Sequence, residues 1–311
     1  MVRKWTPVVL TAVLAASVTG LAGGPAYASA GSRPVLSVGG EVTTAASYTA
    51  AQLAALPQTT ATVTVGGRHV TDTGVLLETL VTNAGPAYPA SLLNTKNELL
   101  RVTVTVRGVD RQVTFAVGEL DAGFGNHPAL LALTRNGHRI AHGPELVVPG
   151  DRAPVRFVPR VSRLTVGIAT APATDATPPA GSPVVVIDGR HVVTLSAALL
   201  ARLPAETLSV SFGGPTGEQT HTEVGPSLLE VLALAGVVPT LNTWVAAVGD
   251  DNYVATVTPA EQIVGGRPLQ LSLEEDGVVL AQPRLVTDGD VKGGRYVSDI
   301  VDIYVGNGPA S

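Results

Sequence analysis

Two aspartate–arginine pairs with the same spacing are the first residues of this sequence that could do chemistry. Asp151 lies five residues before Arg156, and Asp290 lies five residues before Arg295. A guanidinium group can hold a carboxylate or phosphate through two parallel hydrogen bonds, so each arginine is a candidate ligand-binding residue. Alternatively, each arginine pairs with its own aspartate and fixes a turn. The recurrence favours this structural role, because a fold requirement repeats more readily than a binding site does.

Polar side chains near glycine pairs form a second group of candidates. Arg68 and His69 follow two glycines and could bind a small molecule, although solvated turns have the same composition. His138 and His142 have the spacing of metal ligands on a helix. The turn residues around them indicate a strand instead, in which residues four apart are separated by about 13 Å. We therefore predict no metal site at these histidines.

Acidic residues cluster at positions 250–251 and 274–276. Calcium requires oxygen ligands that converge on one point, whereas aspartate is favoured in tight turns without any ligand. The turn interpretation is preferred here. Asp251 and the nearby Tyr253 remain candidates for ligand binding.

Several classes of chemistry are excluded by the residues that the sequence lacks. There is no cysteine, which removes disulfides, thiolate nucleophiles and cysteinyl metal sites. No nucleophile elbow occurs, because GPSLL at 225–229 lacks the second glycine of that motif, and no phosphate-binding loop occurs. A hydrolase that uses aspartate and histidine stays open, and it would need an acid/base pair in a cleft.

The composition and net charge of the chain limit which binding partners can be expected. The 311 residues carry a net charge of −5, only 14% are charged, and 45% are hydrophobic. Without a cluster of basic residues, nucleic acid is not an expected partner. We expect an unknown extracellular ligand or protein instead, and no membrane span once the N-terminal signal is removed.

Residues 1–30 have the features of a secretory signal peptide. Arg3 and Lys4 precede a short apolar run, and small residues near position 28 offer a cleavage site. The run is too short and too interrupted for a membrane anchor. A twin-arginine pair is lacking, so we predict a secreted or cell-surface protein that is exported unfolded by the general route.

The aspartate–arginine pairs belong to a longer repeated stretch, which we call the closing stretch. Residues 144–167 and 283–306 align over 24 positions without a gap, and nine positions are identical. Earlier elements repeat in the same order, including a short helix that ends at Pro57 or Pro204 and an Asn-Gly or Asp-Gly turn. A period near 140 residues is too long for a solenoid. The sequence therefore predicts two tandem domains.

Each predicted domain is strand-rich with two short helices, an α+β class. Thr49 and Gln52 fit a capping box, a helix is predicted over residues 73–85 with Gly85 ending it, and Asn136-Gly137 predicts a hairpin turn. The closing stretch is predicted to be the last hairpin of each domain. The predicted boundaries are 1–30 for the signal peptide, 31–169 for the first domain, 170–183 for a Pro/Ala-rich linker and 184–307 for the second domain.

The order of these motifs resembles the molybdopterin-binding domain of the sulfite-oxidase family. The segments that carry the resemblance are GVLLETLVTNAG (74–85), NGHRIAHGPELVVPGD (136–151), DDNYVATVTPAE (250–261) and GGRYVSDIVDIYV (293–305). The resemblance covers most of residues 34–170 and 183–306. It implies the fold of that family, and it implies that His142 lines the former pterin cleft.

Departures from the family pattern affect the expected function. The resemblance places the cysteine that ligates molybdenum at or beside Val65-Gly66 and Phe212-Gly213, and no cysteine is present. The family's Lys-Trp pair is replaced by Pro159-Arg160 and Ser298-Asp299. We therefore expect a secreted, non-catalytic binding or structural module without cofactor. The alternatives are a molybdopterin-dependent oxidoreductase that holds its cofactor without a protein thiolate, and the exported hydrolase.

Overall fold

Strands dominate the computed structural model, which describes residues 33–171, 179, 181–214 and 217–310. The predicted strand-rich α+β class is confirmed. The division into tandem domains stays a prediction. The predicted signal peptide and most of the predicted linker lie outside the described residues. Below, the N-terminal half denotes residues 33–171 and the C-terminal half denotes residues 181–310.

The N-terminal half contains ten strands and three short helices. In chain order they are β1 Leu36–Gly40, β2 Ala46–Tyr48, α1 Ala50–Ala55, β3 Thr59–Val65, β4 Arg68–Leu76, α2 Leu77–Ala84, β5 Val102–Arg107, β6 Gln112–Ala116, α3 Val117–Leu120, β7 Leu130–Arg135, β8 His138–Arg139, β9 Glu145–Val147 and β10 Arg163–Ile168. Two 3-10 turns, Glu98–Arg101 and Pro154–Arg156, precede β5 and β10.

The described C-terminal half contains nine strands and three short helices. They are β11 Val184–Asp188, β12 His191–Leu195, α4 Ala197–Leu200, β13 Ala205–Gly214, β14 Gly217–Pro226, α5 Leu228–Leu234, β15 Thr243–Gly249, β16 Val254–Val257, α6 Pro259–Ile263, β17 Leu269–Glu275, β18 Val278–Thr287 and β19 Ile300–Asn307. A 3-10 turn, Gly293–Arg295, precedes β19.

Each half has two sheets, and the first sheet, which contains the first and last strands of the half, has the same strand order in both halves. The first sheet runs β2-β1-β10-β5-β6, and its counterpart runs β12-β11-β19-β15-β16. In both, the first and last strands of the half pair in parallel, β1 with β10 and β11 with β19. The second sheets are β3-β4-β7-β8 with β9 also on β7, and β13-β14-β17-β18. The last strand of each half therefore lies at the centre of the first sheet.

The predicted hairpin of the closing stretch is reduced to one antiparallel bridge, Leu146 with Val158 and Leu285 with Val297, and the two strands do not pair with each other. Strand β9 pairs with β7 in the second sheet, whereas β10 lies between β1 and β5 in the first sheet. Strands β18 and β19 are divided between sheets in the same way. A 3-10 turn with a fully buried arginine separates the two strands each time, so the chain leaves one sheet and enters the other.

Local sequence signals set several helix ends. Thr49 and Gln52 form both hydrogen bonds of the capping box, as predicted. The predicted helix over 73–85 begins only at Leu77, because β4 continues to Leu76. Gly74 is a strand residue, and a Cβ on it would lie 2.0 Å from the carbonyl oxygen of Leu131 on β7. Gly85 ends the helix with a φ of 65°, as predicted.

The hydrophobic interior is built from one large cluster in each half, and each cluster also packs against residues of the other half. Leu100 of the N-terminal half belongs to the C-terminal cluster, and Phe124 packs against that same cluster. Leu241 of the C-terminal half packs against the N-terminal cluster. Within the described residues, no helix has the length and apolar character needed to cross a membrane.

Candidate functional site

The paired arginines of the closing stretch lie in the protein interior. Arg156 has no exposed surface, and its guanidinium donates to Asp151 at 2.6 and 3.0 Å and to Glu119 at 2.7 Å. Its donors are directed to internal carboxylates, and no external ligand can reach them. The geometry is that of the structural pair weighed in the sequence, with a buried glutamate as an additional partner.

Arg295 repeats this arrangement in the C-terminal half. It is also fully buried, and it donates to Glu261 at 2.7 and 2.8 Å and through Nε to Asp290 at 2.8 Å. Glu119 on α3 and Glu261 on α6 are both completely buried. Sequence analysis missed both glutamates, because nothing in their local sequence marks them as buried.

The pKa values of the two buried glutamates are shifted in opposite directions. Burial opposes the ionisation of Glu119, but Arg156 and His127 outweigh it and lower its pKa to about 2. Burial raises the pKa of Glu261, and the charge of Glu119 raises it further despite Arg295. The carboxylates of the two halves therefore lie close enough to repel each other through the shared interior.

The remaining candidates of the N-terminal half are exposed and dispersed. Arg68 lies at the turn of the β3–β4 hairpin, and His142 lies between β8 and β9. His69 contacts the hydroxyl of Thr64 at 3.3 Å and lines a cavity of about 400 Å³ beside Asp151. Among the described residues, neither histidine has a carboxylate within ion-pair distance. The acid/base pair that a hydrolase would need is not formed by them.

Asp251 and Tyr253 do line a common cavity, of about 520 Å³, at the boundary between the halves. The N-terminal half contributes Lys96, Asn97 and Phe124. The C-terminal half contributes the other lining residues, which are Phe212, Gly213, Asp250, Asp251, Tyr253, Lys292, Gly293, Gly294, Tyr296, Ser298 and Asp299. This volume lies in the usual range for small-molecule sites, which often occur where two structural units meet.

Hydrogen bonds between the halves fix the wall around Tyr253. Asn97 donates to the Tyr253 hydroxyl at 2.9 Å, and that hydroxyl donates to the Gly294 carbonyl at 2.5 Å. Arg101 donates to the Asn252 carbonyl at 2.9 Å. Burial raises the pKa of Tyr253. The phenol therefore stays protonated and keeps its donor role.

A second wall of the cavity consists of aromatic rings that pack directly against the backbone of glycine residues. The rings of Phe212 and Tyr296 lie 4.4 Å apart between centroids. A Cβ on Gly293 would lie 2.6 Å from the Phe212 ring, and one on Gly294 would lie 2.3 Å from the Phe124 ring. Only glycine allows the rings to approach this closely. Tyr296 has a buried hydroxyl with no hydrogen-bond partner among the described residues.

Charges of both signs line the cavity. Lys96 and Lys292 are the only lysines after Lys4 in the sequence. Neither forms an ion pair within the described part of the chain, although the Lys96 ammonium lies 5.7 Å from the centre of the Tyr253 ring. These two lysines were not predicted as site residues from the sequence.

Three aspartates form the acidic side of the cavity. Asp250 and Asp251 occupy the β15–β16 turn, and Asp299 follows Ser298 just before β19. Partial burial raises the pKa of Asp250, and the charges of Asp299 and Asp251 raise it further. The described residues contain no group of three or more carboxylate or imidazole side chains arranged to hold a metal ion.

The corresponding place in the N-terminal half has different chemistry. In the alignment of the closing stretches, Ala153, Pro154 and Phe157 stand where the C-terminal half has Lys292, Gly293 and Tyr296. These three residues line the 400 Å³ cavity beside His69. That cavity therefore lacks the ammonium and phenol groups of its counterpart.

Comparisons with known proteins add a distant structural likeness. No family model matches the sequence, and no curated protein matches it. Solved structures match, among them the sulfane dehydrogenase SoxCD from Paracoccus pantotrophus. That match has a TM-score of 0.33 and 15% identity, and it covers 83% of this chain and 63% of that chain. The chain thus spans less than two thirds of that protein, and a likeness this distant carries no information about activity.

Proposed function

We propose that this chain is a secreted binding module that takes up a small polar molecule in the cavity between its halves, without a molybdopterin cofactor and without catalysis. The observation that carries this proposal is the cavity of about 520 Å³ lined by residues of both halves, including both lysines that follow the N-terminal region. Two unpaired ammonium groups at a pocket with an aromatic wall favour binding of a polar ligand.

The residues at the cavity do not fit a molybdenum centre. Phe212 and Gly213 stand where the family resemblance expects the metal-ligating cysteine, and they line this cavity. The Phe212 ring packs against Tyr296 and offers no ligand atom. The sequence has no cysteine that could supply a soft sulfur ligand from elsewhere. The oxidoreductase alternative would have to hold its metal through the pterin alone.

We propose the absence of catalysis because no accessible acid/base pair is formed at the cavity by the residues that the structure describes. The shortest carboxylate–histidine contact among the described residues joins His221 to Asp276 at 2.9 Å, and neither residue lines the cavity. The contacts of His127 with Glu119 and Asp151 are made by side chains that are almost fully buried. An acid/base pair that substrate cannot reach does not act on it. The cavity residues themselves offer lysine, tyrosine and aspartate but no histidine.

Protein purified from its native host tests this function. We expect native mass spectrometry to detect a bound small molecule and elemental analysis to find no stoichiometric molybdenum. The double variant Lys96→Met/Lys292→Met should lose the bound mass, whereas Arg190→Met on the exposed β11–β12 turn should keep it. Stoichiometric molybdenum would overturn the proposal, and so would a bound mass that both variants retain or the absence of any bound mass.

A further inference from the structure

The charged residues of the cavity indicate the chemistry of its ligand, because Lys292 and Asp299 line it without forming an ion pair with each other. Lys292 and Asp299 both lie on the segment between β18 and β19 and both line the cavity. No ion pair within 4.0 Å joins either residue to any described residue. Each therefore remains available to a group that enters from solvent.

The acidic side would gain from a bound cation. The amide of Asp250 donates to the carbonyl of Asp299 at 3.0 Å, so the β15–β16 turn and the segment before β19 are joined. This brings three carboxylates to one part of the wall. Asp251 already accepts the amide of Tyr253 through Oδ1 at 2.9 Å. A positive group among these carboxylates would relieve their mutual repulsion.

The basic side is anchored by backbone pairing. Lys292 forms an isolated parallel bridge with Gly213, and the amide of Val291 donates to the carbonyl of Phe124 at 2.7 Å. These contacts fix the backbone from which the Lys292 side chain extends. Its ammonium lies near Gly123, 4.0 Å from where a Cβ on that glycine would stand. An anionic group in the cavity can pair with it.

The aromatic wall favours a flat or apolar body between the charges. Phe124, Phe212 and Tyr296 all contribute to the lining. Aromatic rings bury apolar surface efficiently, and their faces also attract ammonium groups.

On the basis of the proposed function, we infer that the ligand is a small zwitterion, with an ammonium group at Asp251 and Asp299 and an anionic group at Lys292. Neither a simple anion nor a simple cation engages both sides of the cavity. A ligand with both charges gains from both sides at once, since the second contact forms within a complex that is already oriented.

Three probes with one ring skeleton test this inference by isothermal calorimetry on the full mature chain. They are 4-(aminomethyl)benzoate, which carries both charges, 4-methylbenzoate, which is only anionic, and 4-methylbenzylamine, which is only cationic. We expect the zwitterion to bind at least about tenfold more tightly than either singly charged probe. Raising the salt concentration should weaken the zwitterion most.

Two variants test which residue of the cavity binds each charged group of the zwitterionic probe. Lys292→Met should reduce the affinity of the zwitterion to that of the cationic probe and leave the cationic probe unchanged. Asp299→Asn should reduce it to that of the anionic probe, and asparagine tolerates the positive φ of 50° at this position, so folding is preserved. Arg190→Met serves as the control in both series.

The outcomes separate this inference from the proposed function. Equal affinity for the zwitterion and for one singly charged probe overturns the zwitterion inference and leaves the binding function standing. Failure of all three probes also overturns it, while a small molecule bound to host-purified protein would still support the binding function. If no probe binds and host-purified protein carries no bound small molecule, both proposals are overturned.

Discussion

His127 and Arg267 hold equivalent positions in the two halves, and each links a buried glutamate to the aspartate of its closing stretch. His127 lies 3.2 Å from Glu119 and 3.4 Å from Asp151. Arg267 lies 3.6 Å from Glu261 and 3.0 Å from Asp290. A proline follows each residue. The same two-acid arrangement is therefore completed by an imidazole in one half and a guanidinium in the other.

This equivalence predicts that Arg267→His is tolerated better than Arg267→Leu. Among the described residues, leucine leaves Glu261 and Asp290 with Arg295 as their one remaining cation, and we expect a loss of about 3 kcal/mol in the free energy of unfolding. Histidine can still contact both acids, as His127 does, and should lose about half as much at pH 6. Urea denaturation measures both values. Equal losses would show that the two positions are not equivalent.

A second prediction concerns two groups of one arginine and two acids, one group in each half, in which two of the charges lie on exchanged strands. In the N-terminal half, Arg135 on β7 donates to Asp72 at 2.9 Å and lies 3.0 Å from Glu145 on β9. In the C-terminal half, the corresponding positions are Glu223, Glu275 and Arg284, and the arginine pairs with both acids. The central acid keeps its sign, whereas the other two charges exchange strands.

Exchanging the N-terminal charges should reproduce the C-terminal arrangement. Arg135→Glu alone brings three acids together beside the buried Asp72, and we expect a loss of about 3 kcal/mol. Adding Glu145→Arg should recover at least about 1 kcal/mol, a coupling typical of contacting residues. A double-mutant cycle by urea denaturation measures this coupling. Additive effects would contradict the proposed equivalence.

A third prediction follows from the pH dependence of Glu78 on α2. Burial raises its pKa from the ordinary value of 4.5 to about 7, and Asp121 contributes through charge and a side-chain hydrogen bond. The folded state therefore holds this proton more tightly than the unfolded state. The resulting stabilisation is complete below pH 4.5 and is lost as the pH rises through 7.

Replacing Glu78 by glutamine should remove this part of the pH dependence. Because Glu78 is partly exposed, solvent screening reduces the effect to about 1 kcal/mol. We expect Glu78→Gln to be more stable than the parent chain at pH 8 and to differ little at pH 5. Thermal unfolding across that range provides the measurement. Parallel pH profiles for the two proteins would contradict the assignment.

A fourth prediction uses two glycines in strands of different sheets, Gly74 in β4 and Gly39 in β1. Gly74→Ala should cost about 3 kcal/mol, because its Cβ would overlap the Leu131 carbonyl oxygen in a well-packed interior. Gly39→Ala on β1 is the matched control, since nothing lies within 4 Å of its Cβ and its φ is not in the left-handed region. Urea denaturation should find the control near the parent value. Similar losses for both would indicate an effect of strand propensity alone.

A fifth prediction addresses the aromatic wall of the cavity. Gly294→Ala would place a Cβ 2.3 Å from the Phe124 ring, so the ring must move. We expect the affinity for 4-(aminomethyl)benzoate to fall about tenfold, with a smaller effect from Gly39→Ala. Calorimetry measures the affinity, and circular dichroism checks that the variant is folded. Unchanged affinity would exclude this wall from the binding surface.

Local features of the fold were predictable because neighbouring residues determine them. The capping box at Thr49 and Gln52 and the turn at Asn136-Gly137 depend on contacts within a few residues. The sheet that β10 joins was not predictable in this way. Its alternating residues fit a hairpin with β9 equally well, and its true neighbours, β1 and β5, lie far away in the sequence.

The cavity could be predicted only in part for the same reason. Asp251 and Tyr253 were identified within one conspicuous segment, and both line the cavity. Lys96 and Phe124 come from the other half, and no sequence pattern indicates that they meet Tyr253 across more than 120 residues. The one available cue was that lysine is almost absent from the rest of the chain.

The central position of β10 and β19 has a consequence for the order of synthesis. The first sheet of each half lacks its middle strand until the last residues of that half have been made, so neither of these sheets can assemble early. Pairing strands so distant in sequence also slows folding. A nascent chain with this connectivity therefore keeps the other strands of the sheet exposed until the last strand of the half has been synthesised.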